Sequence, residues 1–205
     1  MRAIEGQRGA QLVIISGPSG VGKDTIIAAM QARTPPHPRR YIVTVTTRDR
    51  RRNEVDGVSY HFVRPDDYER LRRASGLLEA SQVHGNWYGT PRDQVQAALS
   101  AGHDAVLKID VQGARKVHEK VPEALLIFVV PPSLEALEAR LVGRSTESAS
   151  DLERRRRDAA YELSRQADYD HVVINETDRI GDTAEQIDAI IAAEHERHPG
   201  RRILV

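Results

Sequence analysis

Unbroken apolar runs recur at Leu12-Val13-Ile14-Ile15, at Ala105-Val106-Leu107 with Ile109, at Ala124-Leu125-Leu126-Ile127-Phe128-Val129-Val130 and at Val172-Val173-Ile174. Each is short enough for a strand, and none alternates with polar residues. Strands that are apolar on both faces must be covered on both, which is the condition of a parallel sheet. Between the runs lie stretches without breakers. Thr25-Ile26-Ile27-Ala28-Ala29-Met30 suits a helix, and Ile180 to Arg197 carries Ile187, Ile190 and Ile191 on what reads as a closing helix. Strands alternating with helices, joined by right-handed crossovers, predict an α/β fold whose doubly wound parallel sheet core is flanked by helices.

Two stretches break this alternation. Thr44 to Tyr88 is rich in charge, turn residues and aromatics, and Arg140 to Arg157 is dominated by arginine. Both read as insertions on the core. Pro35-Pro36-His37-Pro38 is a short connector, and no internal repeat is visible. A length of 205 residues allows one substantial core, hence one domain and one active site.

Charge narrows the class. Thirty lysines and arginines balance thirty aspartates and glutamates. The long-range field that draws a whole molecule to nucleic acid or to an anionic membrane is therefore missing, and any basic function is local. Neither nucleic acid nor membrane is expected as a partner. No cysteine is present, which excludes a disulfide framework, a thiolate metal site and a cysteine nucleophile. No apolar run approaches the roughly 20 residues needed to cross a bilayer, and Met1 to Gln11 has no long apolar segment, so a cytoplasmic protein is the simplest expectation.

The strongest chemical signal is Gly17-Pro18-Ser19-Gly20-Val21-Gly22-Lys23, between the first strand and the first helix. Glycines at 17, 20 and 22 let backbone N–H groups bend around an anion, and the helix N-terminus adds partial positive charge. Lys23 supplies a full charge to the β- and γ-phosphates of a nucleotide, so ATP is the expected ligand. In this motif the residue after the lysine is ordinarily Ser or Thr, whose hydroxyl binds Mg²⁺. Here Asp24 stands there, followed by Thr25. Asp24 and Thr25 are the candidate metal contacts, although Asp24 is also a favourable charge for the first turn of a helix.

The stretch from Thr44 to Phe62, TVTTRDRRRNEVDGVSYHF, is followed by Glu79 and by His84-Gly85-Asn86-Trp87-Tyr88-Gly89-Thr90-Pro91. Further on come Ile109-Asp110-Val111-Gln112-Gly113, Pro131-Pro132-Ser133-Leu134-Glu135 and Val172-Val173-Ile174-Asn175. In content, order and spacing these motifs resemble the guanylate kinase family over about residues 10 to 197. The resemblance implies a P-loop nucleoside-monophosphate-kinase-like fold with a core at about 10–43 and 91–197, a GMP-binding insertion at about 44–90 and a lid at about 140–157. Residues 1–9 and 198–205 are then tails. It implies transfer of the γ-phosphate of ATP to GMP with Mg²⁺, by a monomer or a homodimer.

Particular residues take roles from the same resemblance. Arg48 and Arg51 fork onto the acceptor phosphate, and Tyr60 and Tyr88 donate hydroxyl hydrogen bonds to it. Glu79 accepts from guanine N1–H and its 2-amino group, while Thr44 and Thr90 keep hydroxyls at the base edge. Asp110 lies near the acceptor and the metal. Arg140, Arg144 and Arg155 close over the γ-phosphate, and Asn175 lies near the ATP base. Where the family usually carries Asp or Glu, this chain has Lys108, which is either an electrostatic clamp or a core-edge residue with a solvated head. Read without the family, the arginine-rich stretch from Arg48 is a solvated loop or a nucleic-acid patch, Arg154 to Arg157 a solvated helix face, and Asn175 a strand-end cap. Two other functions fit the fold: a kinase with a sugar-phosphate acceptor, and a non-catalytic module for phosphopeptides.

Overall fold

The computed structural model describes residues 9–83, 85–142 and 149–205, the side chains of 141–142 and 149–155 excepted. Its main sheet has five strands: β1 (Leu12–Ser16), β2 (Arg39–Tyr41), β7 (Asp104–Lys108), β8 (Leu125–Val130) and β9 (His171–Ile174). They stand in the order β2-β7-β1-β8-β9, and every pairing is parallel. The apolar runs read from the sequence are therefore the strands themselves. Ile109 and Ala124 are the exceptions, lying one residue past β7 and one before β8, yet both are buried.

Side chains alternate along each strand, so successive residues feed opposite layers. Leu12 and Ile14 join Leu107 and Leu126 beneath α3 (Arg92–Ser100) and α4 (Val111–Lys120), touching Val95, Ala98 and Val117. Val13 and Ile15 join Val106 and Ile127 on the other face, against Ile26 and Met30 of α1 (Lys23–Gln31) and Ile187 and Ile191 of α7 (Ile180–Arg197). Burial of each such side chain contributes about 1.5–3 kcal/mol. This double coverage is the physical reason that the runs of β1, β7 and β8 are unbroken, whereas on the edge strand β9 only Val173 is buried and Val172 and Ile174 are exposed.

Segment 44–90 has its own sheet: β3 (Val45–Thr46), β4 (His61–Phe62), β5 (Leu77–Val83) and β6 (Asn86–Pro91), in the order β4-β3-β6-β5. β5 and β6 form an antiparallel hairpin, and α2 (Pro65–Arg73) packs Tyr68 onto Val45 and Leu77. This small sheet is tied to the main body through α4, where Lys116 Nζ donates to the Ala80 carbonyl and Lys120 Nζ to that of Leu78. Helices α5 (Leu134–Val142) and α6 (Ala149–Ser164) lie beyond β8, joined by an ion pair of Arg156 and Glu138 at 3.0 Å.

Candidate active site

In the main sheet β1 lies between β7 and β8, two strands consecutive in the chain, so the order of strands reverses direction at β1. The carboxyl ends of strands at such a reversal form the usual ligand crevice of an open α/β sheet. The loop Gly17–Gly22 fills that place, leaving β1 and entering α1. Gly17 has φ 141°, and a Cβ there would stand 2.2 Å from the Val129 carbonyl oxygen, so only glycine lets the loop turn this tightly against β8. Lys23 Nζ donates to the carbonyls of Gly17 and Pro18 at 2.5 and 3.0 Å, lying across the loop. Burial pushes its pKa down, against the opposing charges of Glu162, Asp24 and Asp110.

The small sheet faces this loop across a cleft. Glu79, on β5, is buried and accepts from Ser81 Oγ at 2.9 Å and from Thr90 Oγ1, on β6, at 2.9 Å. Burial, and then the charge of Asp110, raise its carboxyl to about 7. Gly113 on α4 allows this approach, since a Cβ there would stand 3.1 Å from Glu79 Oε2. Thr44, just before β3, is buried and lines the cleft with Glu79. Thr90 does not itself line it; its hydroxyl acts by orienting Glu79.

Arg48 follows β3 and donates to Glu54 Oε1 at 2.7 Å and to the Asp49 carbonyl at 2.6 Å. Its guanidinium carbon lies 5.5 Å from the ring centre of Tyr60 and 5.7 Å from that of Phe62. Burial opposes its charge, but Glu54 and Tyr88 outweigh burial and raise its pKa. Glu54 also accepts from the Arg51 backbone amide at 2.8 Å, so one carboxylate sets the loop carrying both arginines. The Arg51 side chain is exposed at the cleft's mouth, while Tyr60 and Tyr88 meet edge to face at 5.9 Å within it. Asp110 caps α4, accepting from the amides of Gln112 and Gly113 at 2.8 and 3.2 Å, and still lines the cleft.

Other expected residues stand apart. Asn175 is buried, donates to the Val21 carbonyl at 2.7 Å and accepts from Thr183 Oγ1 at 3.3 Å. One amide hydrogen and one lone pair are thus used to brace the phosphate loop from behind. Arg140 donates to the carbonyls of Val21 and Asn175 at 3.2 and 3.3 Å, against the same outer side. Arg144 and the Arg155 side chain lie outside the described residues. Thr25 is exposed on α1 and does not line the cleft.

Four contributors carried no assigned role at the sequence level: Ser81, Lys116, Glu54 and Glu162. Ser81 was within reach, because it is two residues from Glu79 on one strand and so shares its face. Glu54 sits three residues from Arg51, which gives no signal in a loop. Glu162, on α6, accepts from the Ser19 amide of the phosphate loop at 3.0 Å, a contact between residues 143 positions apart. Burial raises the Glu162 carboxyl, with Lys23 and the Ser19 amide opposing.

The fit of Mg²⁺ is incomplete. The Asp24 carboxylate is paired with the Lys108 ammonium, and among the described residues no group of three or more His, Cys, Asp or Glu could hold a metal. Magnesium that keeps water and substrate phosphates as most of its ligands needs at most one such carboxylate, and Asp24 and Asp110 both line the cleft.

A glycine-rich phosphate loop at the sheet's reversal point, faced by an inserted sheet bearing a cationic and aromatic wall, defines a P-loop fold of the nucleoside-monophosphate-kinase type. Comparison with known proteins narrows this. The family model for guanylate kinase matches residues 9–194. The guanylate kinase of Symbiobacterium thermophilum is 42% identical over 186 residues, 91% of this chain and 86% of that protein. That of Chromohalobacter salexigens is 43% identical over 188 residues, 92% of this chain and 86% of that one. The crystal structure of guanylate kinase from Anaplasma phagocytophilum superposes with a TM-score of 0.73 at 31% identity, covering 91% of this chain and 87% of that chain. The chain belongs to the guanylate kinase family.

Proposed function

We propose that this chain transfers the γ-phosphate of ATP to GMP, giving ADP and GDP. The observation that carries the reading is the convergence on one cleft of Lys23 and the phosphate loop from one side with Arg48, Tyr60, Tyr88 and Glu79 from the other. Backbone amides and Lys23 hold the donor phosphates. Arg48, with Arg51 swinging in from the mouth, neutralises the acceptor phosphate and aims its oxygen at the γ-phosphorus. That oxygen is already anionic, so no general base is needed; alignment and charge suffice.

Base choice follows from Glu79. A buried, ionised carboxylate wants two donors, and guanine offers N1–H and the 2-amino group where adenine offers neither. Arg144 and Arg155, with Arg140 once it leaves the Val21 and Asn175 carbonyls, close over the γ-phosphate and exclude water, so transfer outruns hydrolysis. Asp24 would hold a Mg²⁺ ion carried by ATP, directly or through water, and the ion would supply further charge neutralisation at the phosphates. No helix among the described residues is long and apolar enough to cross a membrane, which is compatible with a cytoplasmic enzyme.

A coupled assay of ADP release across nucleoside monophosphates tests the reading. Fast release with GMP and little with AMP is expected. Fast release with a ribose bisphosphate and none with GMP would replace it by the sugar-phosphate kinase.

A further inference from the structure

Lys108 ends β7 at the seam between the two halves of the cleft. Its ammonium pairs with the Asp24 carboxylate from the first turn of α1, and it lies 4.7 Å from the centre of the Tyr60 ring on the acceptor wall. It is close enough to Lys23 to disfavour that ammonium's charge, so two cations share the space where donor and acceptor phosphates meet. The two partners of the ion pair differ in depth: the Lys108 side chain is 17% exposed and that of Asp24 71%. An ion pair with one partner largely in water is weak. Asp24 can yield to solvent, whereas Lys108 is held over Tyr60 and within the cleft.

We propose that Lys108 is a further catalytic residue, whose ammonium moves from Asp24 onto the oxygens of the phosphoryl group in transit, Asp24 being its resting counter-ion. This rests on the ATP:GMP reading. In the step, an oxygen of the GMP phosphate forms a bond to the γ-phosphorus while the bond to the β,γ-bridging oxygen breaks, and that electron pair leaves with ADP. No proton passes through Lys108, which is an ammonium before and after. Two polyanions meeting at the seam offer it far more negative charge than the single solvated carboxylate of Asp24, and charge-assisted contacts to phosphate oxygens are strong. Part of the neutralisation at the transferring group is thereby built into the strand end of the fold. A ligand spanning both subsites should feel Lys108 even without metal, and a ligand filling one subsite should feel it much less.

The test uses the full chain as wild type, Lys108→Met, Lys108→Arg and Asp24→Asn. The probe is adenosine and guanosine joined 5′ to 5′ by five phosphates, titrated calorimetrically in EDTA beside ADP alone and GMP alone. Methionine keeps the stem over Tyr60 and removes the charge, and arginine keeps the charge. Loss of one cation on a transferring phosphoryl group is expected to lower kcat about 10²-fold in Lys108→Met, with weakening of the joined ligand by about 30-fold and of ADP or GMP by no more than about 3-fold. Lys108→Arg should recover at least about a tenth of wild-type kcat, and Asp24→Asn should cost less than Lys108→Met. Wild-type turnover of GMP with joined-ligand affinity unaltered in Lys108→Met overturns the inference alone. So do equal losses of kcat and melting temperature in Lys108→Met and Asp24→Asn, which identify a structural ion pair. Wild type that does not phosphorylate GMP overturns the functional reading and this inference with it.

Discussion

Thr90 donates its hydroxyl hydrogen to Glu79 Oε1 at 2.9 Å, from the strand paired directly with Glu79's own. The carboxylate is thereby aimed before any base arrives. Replacing Thr90 by Val keeps the shape and removes the donor, leaving a buried carboxylate short of a partner at about 1–3 kcal/mol. Thr90→Val should weaken GMP binding about tenfold or more and leave AMP binding nearly unchanged. Calorimetric Kd values for the two nucleotides check it.

The same carboxylate makes stability depend on pH. Burial first, and Asp110 second, raise Glu79 from 4.5 to about 7. Between those values the folded chain keeps a proton that the unfolded chain has lost, so the contribution of Glu79 to stability is greatest below pH 4.5 and is lost as pH rises toward 7. The contribution at stake is about 3 kcal/mol. Glu79→Gln should flatten the slope between pH 5 and pH 8 in urea unfolding. An unchanged slope would remove the raised carboxyl from the account.

Guanine recognition has the opposite dependence. Its two donors need the ionised carboxylate, so GMP should bind with release of a proton and weaken as pH falls below 7. AMP measured alongside cancels the titration of the nucleotide phosphate. The GMP-to-AMP affinity ratio should drop several-fold from pH 8 to pH 6 in wild type and stay flat in Glu79→Gln.

Glu162 occupies, at the Ser19 amide, an N–H that the loop would otherwise offer a phosphate. A nucleotide must displace it. Glu162→Ala should tighten ADP about fivefold, the order expected when one charge-assisted hydrogen bond no longer competes. Equilibrium titration of ADP measures this, and weaker binding in the variant would make Glu162 an organiser of the loop instead of a competitor.

Gly17 tolerates no side chain. A Cβ 2.2 Å from the Val129 carbonyl, at φ 141°, means that the loop or β8 must move. Gly17→Ala should cost about 3 kcal/mol or more, lowering Tm by about 10 °C. A thermal melt decides it.

Much of this architecture was legible in the chain. β1, β7 and β8 fall on unbroken apolar runs because two-sided burial writes itself directly into composition, and α7 falls on Ile180–Arg197. The small sheet was not legible. β3 and β4 have two residues each, and the cleft-facing strands carry Glu79, Ser81, Tyr88 and Thr90 where apolar residues would have marked them. Strands that line a polar site lose the pattern by which strands are recognised. Asn175 was legible only as a choice between base contact and strand cap, and its bond to the Val21 carbonyl, 154 positions away, was not legible.

The sequence by itself determined the phosphate loop and the parallel core. Both depend on neighbours along the chain: glycines that free the backbone, a helix that begins at once, and apolar residues in unbroken succession. Tertiary structure alone decided how deep Glu79 lies, that Lys108 meets Asp24 across 84 positions, and that Glu162 reaches Ser19 across 143. The strength of a charge depends on its desolvation and on which opposite charges approach it, and those are properties of the folded interior, where residues distant along the chain become neighbours.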